Sequence, residues 1–421
     1  MYLSKVQLKN IRSFEDTTVE FEPKAGWHVI LGDNGSGKST LIRSVALGLI
    51  GSPDVQILGG FQEWQNWLRY ENHQASIELE FGQNTKRNFT FKRHISSIVK
   101  ISTYEEELPI FSASYGSFRR LTGGSKDYTP VWKNSYKLAA HLSVFKEDVA
   151  LDQTLKWAEG LWQEYITLKT KSDSLRLTKD LENTINGIHR IVNYSELLQG
   201  KHTLHMEYEH KKMSSFLCFS DNYLGYKDTF LRIEDLSDGY RSILSLILEL
   251  IRQLLLFHNN NVNKVFRFLN GNKVKVMSKG IVLIDEVAAH LHPSWQARIG
   301  DWFTEYFPNI QFIVSTHSPI ICRSAKNGSI QKIIHKGNKT IIDKIEGQEK
   351  DKLVYGNILE AFETNLFGEN ISRSPESLKK LERLAALEVR KQFGQAMSSE
   401  DEAELAKLLK IFPPDARDPF V

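Results

Sequence analysis

The clearest chemistry in this 421-residue chain lies in nine consecutive residues, Gly32-Asp33-Asn34-Gly35-Ser36-Gly37-Lys38-Ser39-Thr40, which match G-x-x-x-x-G-K-[ST] in full. Glycines in that pattern let backbone N–H groups curl around a phosphate, and the following helix adds the positive end of its dipole. Gly32, Asn34, Gly35, Gly37 and Thr40 would then line the phosphate cradle. Lys38 would reach the β- and γ-phosphates, and the Ser39 hydroxyl would take one Mg2+ position. Context separates this from a chance glycine loop. The apolar run Trp27–Leu31 precedes it and a helical pattern from Lys38 to Leu49 follows.

Three further segments gain meaning from the first. Gly280-Ile281-Val282-Leu283-Ile284 reads as a buried strand that delivers Asp285 and Glu286 at its C-terminal end, where α/β sheets bind ligands. Asp285 offers oxygen to a hard cation such as Mg2+. Glu286 is placed to orient or deprotonate a water for in-line attack on phosphorus. Alone, the two acids would read as a solvated strand end. Leu236-Ser237-Asp238-Gly239-Tyr240 stands ahead of a long helical run from Arg241. Ser237 and Gly239 there suit a second anionic contact, although in isolation a simple N-cap explains them better. His317, in Ile313-Val314-Ser315-Thr316-His317-Ser318-Pro319, follows another apolar strand.

The elements that must hold these residues follow from periodicity. Val6 and Leu8 alternate with Lys5, Gln7 and Lys9, and Ile77, Leu79 and Phe81 alternate with Glu78 and Glu80, as in half-buried strands. A helical pattern runs from about Leu142 to Tyr194, with Leu177, Leu181, Ile185, Ile188 and Val192 at spacings of three and four. Strand-like sequence returns at Ser214 to Phe219. From Gly280 the order is strand, helix (Pro293 to Tyr306), strand (Gln311 to Val314), which argues for a parallel sheet covered on both faces. A hairpin follows around Gly337-Asn338. Ser374-Pro375-Glu376 and Ser398 with Asp401 mark two helix starts in the tail, which ends in Phe412-Pro413-Pro414 and Pro419-Phe420-Val421. The expected divisions are an N-terminal lobe at 1–141, a helical insertion at 142–200, a second lobe at 201–350 and a helical tail at 351–421.

Composition bounds the alternatives. Hydrophobic residues make up 41% and charged residues 25%, which excludes a disordered or collagen-like chain. A net charge of +3 gives no support to a generally basic nucleic-acid coat. Two cysteines, Cys218 and Cys322, cannot build a disulfide framework and fit a reducing cytosol. The first residues lack an apolar signal core, and Ser242 to Phe257 is interrupted by Glu249, Arg252 and Gln253, so a cytoplasmic protein without a membrane span is expected.

Phosphate loop, L-S-D-G-Y, apolar-D-E and S-T-H-S-P, in this order over residues 1 to about 345, resemble the ABC-type ATPases of the SMC/RecF/Rad50 superfamily. The resemblance implies an α/β fold: an ABC-type P-loop ATPase head with a compact helical insertion and a helical C-terminal tail. It implies ATP and Mg2+ as cofactors, Leu236 to Tyr240 as the signature, Glu286 as the catalytic carboxylate and His317 as the switch histidine at the γ-phosphate. It also implies a head-to-tail ATP-sandwich dimer, open to higher oligomers, in which Ser237 of one copy completes the site of the other. Arg12, in Asn10-Ile11-Arg12-Ser13-Phe14, resembles the N-terminal nucleotide-contacting arginine. Two departures stand out. Ala288 occupies a position where relatives often carry an acid, and no glutamine marks a Q-loop, for which Ser114 to Arg120 is the plausible region.

The insertion is too short for a long coiled-coil arm. Only 104 residues follow His317, mostly helical in pattern, and Glu400-Asp401-Glu402 sits at a helix start where acids favour the dipole, so no nuclease site is assigned. Within the superfamily the chain most resembles the PtuA-like anti-phage ATPases of Septu and retron-associated systems. That implies a slow, regulatory ATPase that assembles with and restrains an HNH-type effector nuclease, similar to PtuB, with nucleic acid reached through the complex and no membrane partner. The alternative is a RecF-like repair clamp on duplex DNA, with Lys86-Arg87, Lys92-Arg93-His94 and Arg119-Arg120 lining a groove.

Overall fold

The structure, a computed structural model, describes residues 1–82, 85–95, 98–102, 108–119, 125–128, 131–132, 135–149, 152–171, 175–193, 202–209, 214–221, 230–337, 339–356 and 375–412. The chain divides into two units, Met1–Ile345 and Glu346–Val421. Arg120, Asn338, Ser374 and the terminal 413–421 lie outside the described residues.

The first unit opens with β1 (Leu3–Ile11), β2 (Phe14–Glu20), β3 (Gly26–Leu31), α1 (Lys38–Leu49), α2 (Ser52–Gly59), β4 (Gln74–Phe81), β5 (Thr85–Ile95), β6 (Ile98–Ser102), β7 (Phe111–Tyr115) and α3 (Tyr136–Phe145). The alternating residues of β1 and β4 bury one face, as their period of two demands. They form an antiparallel sheet ordered β2-β1-β4-β5-β6. α1 approaches that sheet closely at Gly48, where an added Cβ would lie 2.3 Å from Leu79 Cδ1. Next come α4 (Asp152–Lys171), α5 (Leu175–Asn193) and a small sheet ordered β10-β9-β8, made of β8 (His202–Glu209), β9 (Ser214–Asp221) and β10 (Phe230–Arg232).

The unit continues with α6 (Asp238–Phe257), α7 (Val262–Val265), β11 (Phe266–Phe268), β12 (Val274–Val276), β13 (Gly280–Ile284), α8 (Pro293–Gln296), α9 (Ile299–Tyr306), β14 (Ile310–Thr316), β15 (Ile330–Lys336) and β16 (Lys339–Ile345). The central sheet runs β16-β15-β3-β14-β13-β7. All its neighbouring strands are parallel except the β15–β16 hairpin. Every residue of β3, β13 and β14 is buried, as both-face coverage requires of a parallel sheet. Each such Val, Leu or Ile stabilises the sheet by about 1.5–3 kcal/mol relative to exposure.

Two helical readings are corrected. Leu142 does not begin the insertion but lies inside α3, which packs on β7, because its apolar face belongs to the main core. The single helix expected from Pro293 to Tyr306 is two, α8 and α9, broken at Arg298. The insertion is tied to α6 through Glu249, 1% exposed, which accepts from Arg252 Nε at 2.7 Å and Nη2 at 2.9 Å, from Gln253 Nε2 at 2.6 Å and from the Thr154 hydroxyl of α4.

The second unit holds α10 (Gly347–Tyr355), α11 (Pro375–Gln392) and α12 (Ser399–Ile411). Ser398 and Asp401 form the reciprocal capping box that starts α12. Leu384 and Leu387 pack on Leu405 and Leu408, and Arg383 of α11 pairs with Asp401 and Glu404 of α12.

His141 of α3 is fully buried between two hydroxyls of β7, with Nε2 3.0 Å from Ser112 Oγ and Nδ1 2.9 Å from Ser114 Oγ. Burial, helped by Lys137, lowers its pKa to about 3. The folded state therefore refuses a proton that the unfolded chain accepts below its ordinary value near 6.5. Stability from the neutral ring is complete above that value and is lost as the pH falls from about 6.5 toward 3, roughly 2 kcal/mol by pH 5. Thermal melts between pH 7 and 5 are expected to show this loss, and His141→Gln should flatten the dependence.

Candidate nucleotide site

The phosphate loop joins β3 to α1. Gly37 caps the helix at φ +103°, in the left-handed region, where an added Cβ would stand 3.0 Å from Phe14 Cζ and Ser13 Oγ. The first turn of α1 carries no acid, so nothing there offsets the dipole. Lys38 is 4% exposed and folds back over the loop, donating to Gly32 O at 2.8 Å and Asp33 O at 3.0 Å. Asn34 and Gly35 are exposed at the loop tip, and Ser36 Oγ is buried without a hydrogen bond. An uncapped helix start, an orphaned hydroxyl and a folded-back lysine fit a phosphate chain.

Strand register brings the remaining groups to the same sheet edge. Ile284 pairs with Val314 and with Tyr115, while Thr316 pairs with Leu31. The next residues of these strands are Asp285, Ser315, Gly116, His317 and Gly32. Glu286 is the meeting point. Its Oε1 lies 3.1 Å from Lys38 Nζ and its Oε2 lies 3.1 Å from His317 Nδ1. Ser315, which the sequence reading did not single out, donates its hydroxyl to Asp285 Oδ1 at 2.5 Å and accepts from the Glu286 N–H at 2.8 Å. One small side chain thus holds the Asp285 carboxylate and the Glu286 main chain. Asp285 is 3% exposed, and with the Ser39 hydroxyl it supplies oxygens of the type Mg2+ takes.

Arg12 also adjoins α1. Its Nη1 lies 3.5 Å from Thr40 Oγ1, its Nε donates to Asn66 O at 3.2 Å, and its guanidinium stands 4.8 Å over the Trp67 ring. Burial and Arg43 lower its pKa. Ser237 and Gly239 are elsewhere. Ser237 is exposed at the start of α6 and makes no side-chain cap, and an added Cβ at Gly239 would lie 2.8 Å from His290 O. Tyr240 stands edge-on to Trp295 with centroids 4.5 Å apart. Among the described residues no hydrogen bond or ion pair joins Ser237 or Gly239 to the phosphate loop.

Of the basic residues offered for a DNA groove, Lys92 is exposed and Arg93 half-buried, and Arg120 lies outside the described residues. Arg87 and Arg119 are buried, and Lys86 pairs with Glu78 and Glu80. Arg119 packs under the turn after Glu286. No group of three His, Cys, Asp or Glu side chains among the described residues could hold a metal by itself.

A phosphate loop, a carboxylate pair and a histidine on one parallel sheet, with a signature-type helix start, define an ATPase of the ABC type. The chain belongs to the family described as "AAA domain, putative AbiEii toxin, Type IV TA system", which it matches over residues 28–323. It is 24% identical over 350 residues to the Septu protein PtuA of Bacillus mycoides (strain KBAB4), covering 79% of this chain and 40% of that protein. The chain thus spans less than half the length of that relative. It is 25% identical over 488 residues to the retron Ec83 probable ATPase of Escherichia coli, covering 98% of this chain and 84% of that protein. A crystal structure of an SMC head bound to the C-winged helix domain of ScpA aligns with a TM-score of 0.48 at 14% identity, covering 84% of this chain and 100% of that one. No helix among the described residues is long and apolar enough to cross a membrane.

Because Lys38 holds the loop and faces the carboxylate, Lys38→Ala is expected to abolish nucleotide binding. Calorimetric titration with ATP should show no saturable heat where the unsubstituted protein saturates.

Proposed function

We propose that this protein is an ATP-binding and ATP-hydrolysing regulatory subunit of a bacterial anti-phage defence complex. The observation that carries the catalytic part is Glu286 held between Lys38 and His317 at the end of β13. In this reading the backbone N–H groups of Gly35 to Lys38 bind the phosphates, and Lys38 turns from Glu286 to the β- and γ-oxygens. Ser39 and Asp285 would hold Mg2+, which neutralises charge on the phosphate oxygens when bound. Glu286, freed from Lys38, orients the attacking water and accepts its proton, and His317 stands at the γ-phosphate. Arg12, stacked on Trp67 beside Thr40, contacts the nucleotide. Ser237 and Gly239 serve the site of a second copy in a head-to-tail dimer, a reading supported by the exposure of Ser237 and by the lack of any hydrogen bond from either residue to the chain's own loop among the described residues.

The defence role is supported by the similarity to a Septu protein and a retron ATPase. We assign hydrolysis a slow, switching role and assign the effector chemistry to a partner nuclease of HNH type. The second unit is proposed as its docking element. Phe393, 72% exposed, and Ile411, 50% exposed, leave apolar surface on the α11–α12 hairpin, which supports that assignment.

Glu286→Gln tests the core of this reading. It is expected to keep ATP binding, to lower kcat by roughly 100-fold or more, and to double in mass by light scattering only when ATP is present. Hydrolysis at the unsubstituted rate would remove Glu286 from the chemistry.

A further inference from the structure

The loop after β7 carries a cation that the reaction described above leaves unused. Arg119 is 5% exposed. A guanidinium so placed costs several kcal/mol in lost hydration unless its donors are matched. Here they are. Nη1 donates to Gly116 O at 3.1 Å and Asp285 O at 3.2 Å, and Nε donates to Ser242 Oγ at 2.9 Å. Nη2 lies 3.4, 3.5 and 3.4 Å from the carbonyls of Glu286, Val287 and Ala289. The Ser245 hydroxyl of α6 donates to the Arg119 carbonyl at 3.3 Å. Burial lowers the guanidinium pKa to about 10, opposed by Asp285 and Glu286, so the cation persists at neutral pH.

The turn that receives these bonds is strained. Glu286 has φ +46° and His290 has φ +64°, a left-handed backbone that strains a non-glycine residue. Such a turn persists only where its surroundings over-determine it. Carbonyls of Asp285, Glu286, Val287 and Ala289 converge on one positive group, and that group is bonded through Nε to the second turn of α6.

We propose that Arg119 is a positioning residue: it holds the turn at 286–289 in the form that aims Glu286 at Lys38, and through Ser242 it ties that turn to α6, the helix that Ser237 precedes. The carboxylate of one site and the signature surface offered to the other copy then move as one body. The proposal rests on the reading of Glu286 as the catalytic carboxylate.

The test combines Arg119→Lys, Arg119→Met and Ser242→Ala with three readouts: steady-state ATP hydrolysis, the equilibrium Kd for ATP, and amide hydrogen exchange without nucleotide. Both Arg119 variants are expected to lower kcat by about 10- to 100-fold, the range seen when an orienting partner is lost, with Kd unchanged within about threefold. Arg119→Met added to Glu286→Gln should cost little more than Glu286→Gln alone, since both act through one group. Amides at 286–290 and 238–242 should exchange at least about tenfold faster, while those of α1 stay protected. Ser242→Ala should loosen the 238–242 amides even if Arg119→Met fails to fold. Unchanged exchange at 286–290 in a folded Arg119 variant, or a Glu286→Gln effect that multiplies in full, would overturn the proposal. If the unsubstituted protein hydrolyses no ATP, the ATPase reading fails, and exchange at 286–290 still decides the role of Arg119.

Discussion

The register of three buried parallel strands governs the site. β3, β14 and β13 expose nothing along their length, so hydrophobic burial fixes which residues emerge together at their C-terminal edge. Thr316 beside Leu31 and Val314 beside Ile284 set His317 next to Gly32 and Ser315 next to Asp285. A slip of one residue would turn every core side chain to the other face and separate the phosphate loop from its acids. Site geometry and core packing are therefore one constraint.

Electrostatics then decides how the edge is wired. Lys38 is almost fully buried and needs anionic or carbonyl oxygens around it, which Gly32, Asp33 and Glu286 supply. Glu286 faces Lys38 from a left-handed backbone, and Ser315 and Arg119 both engage that turn. In the proposed reaction, release of Glu286 from Lys38 by a bound phosphate chain would be a change of partner within an existing scaffold. The turn that carries Glu286 also lies against Gly239, through His290 O. Site and signature surface therefore share one boundary.

Much of this was legible in residue types. Glycines at 32, 35 and 37 ahead of Lys38, and four apolar residues ahead of Asp285, announce their elements because loop chemistry and strand burial leave strong local patterns. The alternation in β1 and β4 is equally plain. Other features leave no such trace. Arg119 in Ser117-Phe118-Arg119-Arg120 looks like any solvated loop arginine, since most of its partners are main-chain carbonyls more than 160 residues away. Ser315 is a small hydroxyl within an apolar strand. The break between α8 and α9 lacks a Gly or Pro at 297–298, and Leu142 could serve an insertion or the main core equally well. Tertiary contacts chose in each case.

The central claim is that an ATP site is completed by the signature surface of a second copy. The most direct measurement is ATP hydrolysis by a mixture of two single variants, Lys38→Ala and Ser237→Arg. Each alone is expected to be inactive, because every site in its dimer is damaged. Mixing them creates dimers with one site that has both Lys38 and Ser237 intact, and hydrolysis should return. No recovery on mixing two folded variants, or full activity of Ser237→Arg alone, would contradict the shared site.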